Sequence, residues 1–262
     1  LSLVIELRYM KNTIQWKIFF ILLSMSLVSV ACVFPYVITL QGDLLRTIGQ
    51  PLWLIGIIQV AQSAVLFSLA ILGGLFFAKR IGFHLPLLEA VAEKKNWKAI
   101  LKDSIAISFL SGAMIAVIIY AVDIIFTVAG AAISTHQTYA PVWQKLLAAV
   151  YGGITEEILL RLFLMAFFIW ISMKICKRTS PTTTGIVASI FLAAIIFGLG
   201  HLPLTASLTA LTPLIVTRAI VLNGIGGIMF GWLFWKKGLE AAMIAHFTTD
   251  IFLLTLLPLL FR

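Results

Sequence analysis

The chain predicts an all-α, polytopic membrane bundle of about seven transmembrane helices, and three observations carry that expectation. Hydrophobic residues make up 61% of its 262 residues and charged ones only 11%, so most of its surface must meet lipid. The apolar residues gather into helix-length runs, each near or above the roughly 20 residues that cross a bilayer. These runs are continuous rather than alternating, which argues against barrel strands, and an open sheet would leave backbone groups unpaired in hydrocarbon. No linker, low-complexity tract or internal repeat divides the chain, so residues 1–262 read as a single integral membrane domain.

Runs bounded by charge, Pro or Gly place the spans at Trp16 to Leu40, Pro51 to Ala78, Ser104 to Gly130, Leu146 to Met173, Thr184 to Thr205, Leu208 to Trp235 and Gly238 to Phe261. Basic residues orient them. With the N-terminus in the cytoplasm, Arg8, Lys11, Lys17, Lys79, Arg80, Lys94, Lys95, Lys98, Lys102, Lys174, Lys177, Arg178, Lys236 and Lys237 all lie inside. Only Arg46, Lys145 and Arg262 fall outside. This explains the formal charge of +9 without a nucleic-acid partner, since the cations sit in short loops rather than along a basic stripe. The longest inside loop, Lys79 to Asp103, mixes Leu87, Leu88, Val91 and Trp97 with charges; it reads equally as a surface-lying amphipathic helix or a solvated loop.

Cys32 and Cys176 lie at opposite ends of different spans, so neither a disulfide framework nor a cysteine metal site is expected. Cys32 follows Ser29-Val30-Ala31 and lacks the small aliphatic residue that a lipoprotein signal needs three positions earlier. Met10-Lys11-Asn12 looks like a start, which sets residues 1–9 aside.

Ionisable groups inside four of the spans point to chemistry. Each costs roughly 2.5–3.5 kcal/mol on insertion scales, so several together require compensation. In the fourth span, Glu157 and Arg161 are four apart and share a helix face, which allows an ion pair. Glu156 is turned about 100° away and stays free to face a cavity. The fifth span ends with Phe197 one turn before His201, and the seventh carries His246 and Asp250, again four apart. A purely structural network of buried hydrogen bonds and ion pairs is the competing reading of each group. Asp123 and Arg218 are best read as structural partners, of each other or of the Glu cluster.

Taken together, EExxxR, FxxxH and HxxxD on separate helices resemble the CPBP (Abi) family of intramembrane proteases, which includes the type II CAAX prenyl endopeptidases. Asn223-Gly224-Ile225-Gly226-Gly227 and the run from Gly231 to Ala242 add to the resemblance, which covers roughly residues 145–251. It implies catalytic roles for Glu156, His201, His246 and Asp250, with Glu157, Arg161 and Phe197 in support. In the family the first Glu activates water, and here that is Glu156. One departure is visible: the prenyl-endopeptidase branch carries Asn at the last position, and Asp is associated with some bacterial members. An ionised Asp250 cannot donate a hydrogen bond to an oxyanion, so it would orient His246 or act protonated.

The implied activity is an intramembrane endopeptidase of a bacterial cell membrane, cutting a membrane-associated protein or peptide. Glu156 is expected to serve as general base, His201 to position the water or share its proton, and His246 to stabilise the oxyanion. No cofactor is expected. Zinc is the lesser alternative, because Glu, His and Asp are acceptable ligands but the HExxH signature is missing. A non-catalytic scaffold or bacteriocin-immunity-type member of the same family is another alternative, and a proton relay or transporter a third. Counting the helical rise puts Glu156 near mid-membrane, with Asp250 about 20 Å and His201 about 25 Å from the inner edge, a spread that tilts of about 20° must close.

Overall fold

Helices account for the chain wherever it has regular structure in the computed structural model, which describes residues 15–132 and 140–261. Seven of these are long and apolar enough to cross a membrane. They are α1 (Trp16–Thr47), α2 (Leu52–Ile81), α4 (Trp97–Val128), α5 (Val142–Ile175), α6 (Thr183–Gly200), which continues as α7 (Leu202–Leu208), α8 (Pro213–Lys237) and α9 (Leu239–Leu260). A seven-residue helix, α3 (Pro86–Ala92), fills the long loop between α2 and α4. There is no strand among the described residues. Arg8, Lys11, the Met10 start and Arg262 lie outside them.

Sequence signals set the helix ends. Thr182 and Thr212 cap α6 and α8 by accepting from the backbone N–H groups of Gly185 and Ile215, three residues on. Asn96 does the same for α4 through Ala99. Gly82 stops α2 in a left-handed conformation, φ 73°, that other residues adopt reluctantly. Lys79 and Arg80 end α2, Lys174 ends α5, and Lys236 and Lys237 end α8, where cations complement the helix dipole.

The bundle is apolar outside as well as in. Val65, Leu69, Leu110 and Ile125 are each about two-thirds exposed, as lipid-facing surfaces require. The buried interior joins Phe67, Ile71 and Leu75 of α2 with Ile158, Leu162, Met165 and Ile169 of α5, and with Phe230, Leu233 and Phe234 of α8. Helices of such a bundle associate by van der Waals packing, because lipid tails are as apolar as the side chains. At Gly74 that packing admits no side chain: a β-carbon there would stand 2.6 Å from Leu162 Cγ and 2.9 Å from the Leu162 carbonyl oxygen.

The α3 loop docks on protein. Leu88 and Ala90 are buried, Glu240 at the start of α9 accepts from the Leu88 N–H at 2.7 Å, and the Lys17 ammonium reaches the Ala92 carbonyl at 3.3 Å. Asp123 of α4 and Arg218 of α8 pair with each other, Nε to Oδ1 at 2.6 Å, and not with the Glu cluster.

Gly74→Val should therefore lower the thermal unfolding midpoint of the detergent-solubilised protein, at a cost of about 1–3 kcal/mol for overpacking against a backbone that cannot retreat. A midpoint equal to that of the wild type would contradict the close contact of α2 with α5.

Candidate active site

The middle of α5 is not an ordinary α-helix. Residues Gly152–Glu156 and Ile158–Met165 are wound as π-helix, flanked by α-helical Val142–Tyr151 and Ala166–Ile175. The wider i→i+5 turn is uncommon and recurs at functional sites. It carries both glutamates to the same neighbour. Whereas the uniform 3.6-residue period predicts that Glu156 and Glu157 face different surroundings, the two bracket the imidazole of His246 on α9.

Glu157 is fully buried and committed. Its Oε1 accepts from His246 Nδ1 at 2.7 Å and lies 3.1 Å from Arg161 Nη1. Arg161, 1% exposed, also donates from Nη2 to the Gly227 carbonyl at 3.2 Å, which ties α5 to α8. Its guanidinium stands over the rings of Phe197 and Phe230, 5.1 and 5.3 Å from their centroids. The ion pair read from the i, i+4 spacing is thus present, with a histidine added to it.

Glu156 is placed differently. Its Oε2 lies 3.7 Å from His246 Nε2, too far for a direct hydrogen bond, and its side chain keeps 23% of its exposure. Asp250 Oδ2 stands at the same 3.7 Å from Nε2, also 23% exposed. One ring nitrogen of His246 is therefore held by Glu157, while the other faces two carboxylates across a gap. Gly152 makes that gap. A β-carbon at this position would collide with Asp250 Oδ2 and approach His246 Nε2 to 3.2 Å, so any larger residue would fill the space the three groups share.

His246 is sandwiched. Phe230 stacks on it at 4.5 Å with 17° between the planes, and Phe197 meets it edge-on at 5.7 Å. His201 lies at the junction of α6 and α7, where its Nδ1 is 2.9 Å from the Phe197 carbonyl and its ring is 4.8 Å from the Phe197 ring, again edge-on. Glu156, His246 and Asp250 thus meet directly, and His201 joins them through Phe197.

Sequence reasoning missed Phe230 and Gly152. Phe230 follows Gly227 by one turn on α8, but an aromatic in an apolar helix carries no signal of stacking on a histidine. Gly152 stands in the pair Gly152-Gly153 just ahead of the glutamates, which marks close approach without naming the visitor. Among the described residues, no group of three or more His, Cys, Asp or Glu is placed to hold a metal ion.

A family model described as Type II CAAX prenyl endopeptidase Rce1-like matches residues 137–252. The segment contains all of α5, α6, α7 and α8, and α9 through its α-helical part. No curated protein and no solved structure matches the chain.

Removing one partner of the buried pair should cost far more than removing both. Arg161→Leu leaves Glu157 buried without its guanidinium partner and with only the His246 imidazole beside it, with an expected loss of about 3–5 kcal/mol, while Arg161→Leu combined with Glu157→Leu should recover most of it. Chemical denaturation in detergent measures both. Equal stability of the single variant and the wild type would contradict the pairing.

Proposed function

With residues 137–252 homologous to the CPBP (Abi) family of CAAX-type intramembrane proteases, we propose that this integral membrane protein is an intramembrane endopeptidase that hydrolyses a peptide bond of a membrane-associated protein or peptide. The observation that carries the reading is the unequal fate of the two adjacent glutamates. Glu157 is held by Arg161 and His246, and Glu156 is partly exposed, with its Oε2 3.7 Å from the Nε2 edge of His246 that Asp250 also faces.

In this mechanism a water occupies the gap between Glu156, His246 Nε2 and Asp250. Glu156 removes its proton as the oxygen adds to the scissile carbonyl, and later returns that proton to the departing amine. Glu157 fixes which nitrogen of His246 carries a proton, in the way a carboxylate orients the imidazole of other hydrolases. Asp250 holds the other edge of the site, and His201 braces Phe197 against the stacked ring. The basic ends of α2, α5 and α8 support a cytoplasmic assignment for that side of the bundle and for the N-terminus. Asp250 in place of Asn favours a bacterial cell membrane.

The scaffold reading draws on the same Glu157, Arg161 and His246 junction, which would hold a bundle together without turnover. Kinetics separate the two. We expect the chain reconstituted in liposomes to cleave a quenched-fluorophore peptide, tested in two forms, one apolar and unlipidated, the other ending in a farnesylated CAAX sequence. Glu156→Gln should lower kcat by at least about 10²-fold with an unchanged unfolding midpoint, since a general base contributes about 10²–10⁴-fold. Turnover by the variant at the wild-type rate would refute the assignment. Chelator-sensitive turnover restored by zinc would revive the metal version.

A further inference from the structure

Two glutamines of α2 sit on a membrane span with nothing to bond. Gln62 is exposed and Gln59 half-buried, and among the described residues neither forms a hydrogen bond. The other described glutamines within helices are provided for: Gln41 donates to Ser207, and Gln144 accepts from the Thr39 hydroxyl. The 30 residues of α2 extend about 45 Å, against a hydrocarbon core of about 30 Å, and Gln62 stands about 15 Å from the end opposite Lys79 and Arg80. A span centred in the bilayer therefore holds Gln62 about 7–8 Å inside the hydrocarbon and Gln59 about 3 Å inside. An amide there finds no water, so a second helix is its source of partners.

The bundle supplies none. Where Gln59 approaches α1, the two helices leave an apolar groove lined by Val30, Ala31 and Phe34. The inward face of α2, from Phe67 to Leu75, is packed on α5. The outward face carries the glutamines: Leu52, Ile55, Gln59, Gln62, Leu66 and Leu69 recur at alternating intervals of three and four residues, the spacing of a coiled-coil seam. Leu66 is 51% and Leu69 65% exposed, so this seam stands free on the surface. From Pro51 to Ala78 the chain carries no charged residue, and nothing repels a like surface. Two copies of one membrane protein enter the bilayer in the same sense, so their α2 helices meet in parallel about a twofold axis along the membrane normal. In a parallel pair each seam residue meets its own counterpart. Leucine then packs on leucine, and each glutamine faces the same amide, which both donates and accepts. The seam is complementary to itself.

We propose that the outward face of α2 is a homodimer interface, in which Gln59 and Gln62 hydrogen-bond with the same two residues of a second copy of this chain. A helix of other sequence would need two amides at matching positions, whereas a second copy brings them. The glutamines fix the register of the pair, as a polar residue at a seam position does in other two-stranded coils. Within one helix, Gly74 then serves the contact with α5 and Gln62 the contact between copies. No residue of the seam belongs to the active site, so the inference stands apart from the peptidase reading.

Energy transfer between donor- and acceptor-labelled copies of the full chain in liposomes, labelled at the exposed Cys176 with Cys32→Ala, measures the association as lipid is added. The native seam should give transfer that falls with dilution in lipid. Gln59→Leu combined with Gln62→Leu should raise the dissociation constant by at least about tenfold, with an unfolding midpoint no lower than that of the parent chain. Cross-linking locates the contact without touching the glutamines. In a Cys32→Ala, Cys176→Ser background, Leu66→Cys should form a disulfide-linked dimer on oxidation, while Val65→Cys, exposed to a similar degree but turned about 100° away, should not. Absence of transfer by the native seam at every protein-to-lipid ratio would overturn the inference. Transfer that the double glutamine variant leaves unchanged, or cross-linking at position 65 in preference to 66, would put the contact elsewhere and overturn it too.

Discussion

Everything at this site depends on one carboxylate oxygen, Glu157 Oε1, which meets Arg161 and His246 together. A buried carboxylate, guanidinium and imidazole each carry a desolvation cost of several kcal/mol, and only mutual contact offsets it. The geometry answers that demand through Oε1 alone, 2.7 Å from the imidazole and 3.1 Å from the guanidinium, while Oε2 is buried without a hydrogen-bond partner. Arg161 carries the connection on to the Gly227 carbonyl, so α5, α8 and α9 are held in register by the groups that orient the site. Stability and the proposed chemistry are therefore linked: the pair that makes the bundle tolerate buried charge also determines which glutamate keeps clear of the ion pair.

The π-helical turns of α5 turn this convergence into an asymmetric site. A uniform α-helix would separate neighbouring residues by about 100° and send Glu156 and Glu157 to different neighbours. Widening the helix on both sides of Glu157 allows each glutamate to address one edge of the same imidazole, one at hydrogen-bonding distance and the other across a gap. Gly152 keeps that gap open, and Phe230 and Phe197 fix the ring within it. The aromatic walls also lower the local dielectric, which strengthens each electrostatic contact inside.

Much of this was legible in the chain. The number of spans and their approximate limits follow from apolar run length, because backbone satisfaction in lipid leaves no alternative to long helices. Glu157 with Arg161 follows from i, i+4 spacing, and a structural role for Asp123 and Arg218 from the cost of leaving either alone in hydrocarbon, although the sequence left open whether they pair with each other or with the Glu cluster. What the spacing could not give was anything that depends on departures from ideal helices or on contacts between distant segments. The π turns have no sequence signature, so the shared imidazole was hidden. Counting rise along straight helices spread Glu156, His201 and Asp250 in depth, whereas the break at His201 between α6 and α7 and the course of α9 allow Phe197 to touch both histidines.

The most direct test of the account is the protonation pattern of the His246 ring, read by ¹⁵N NMR of histidine-labelled protein in bilayers and assigned with His246→Gln. The expected result is a protonated, strongly hydrogen-bonded Nδ1 whose resonance moves on Glu157→Gln, while Glu156→Gln perturbs chiefly Nε2. An Nδ1 that ignores Glu157→Gln, or that follows Glu156→Gln instead, would show that the other glutamate holds the imidazole and would contradict the division of labour on which the site is built.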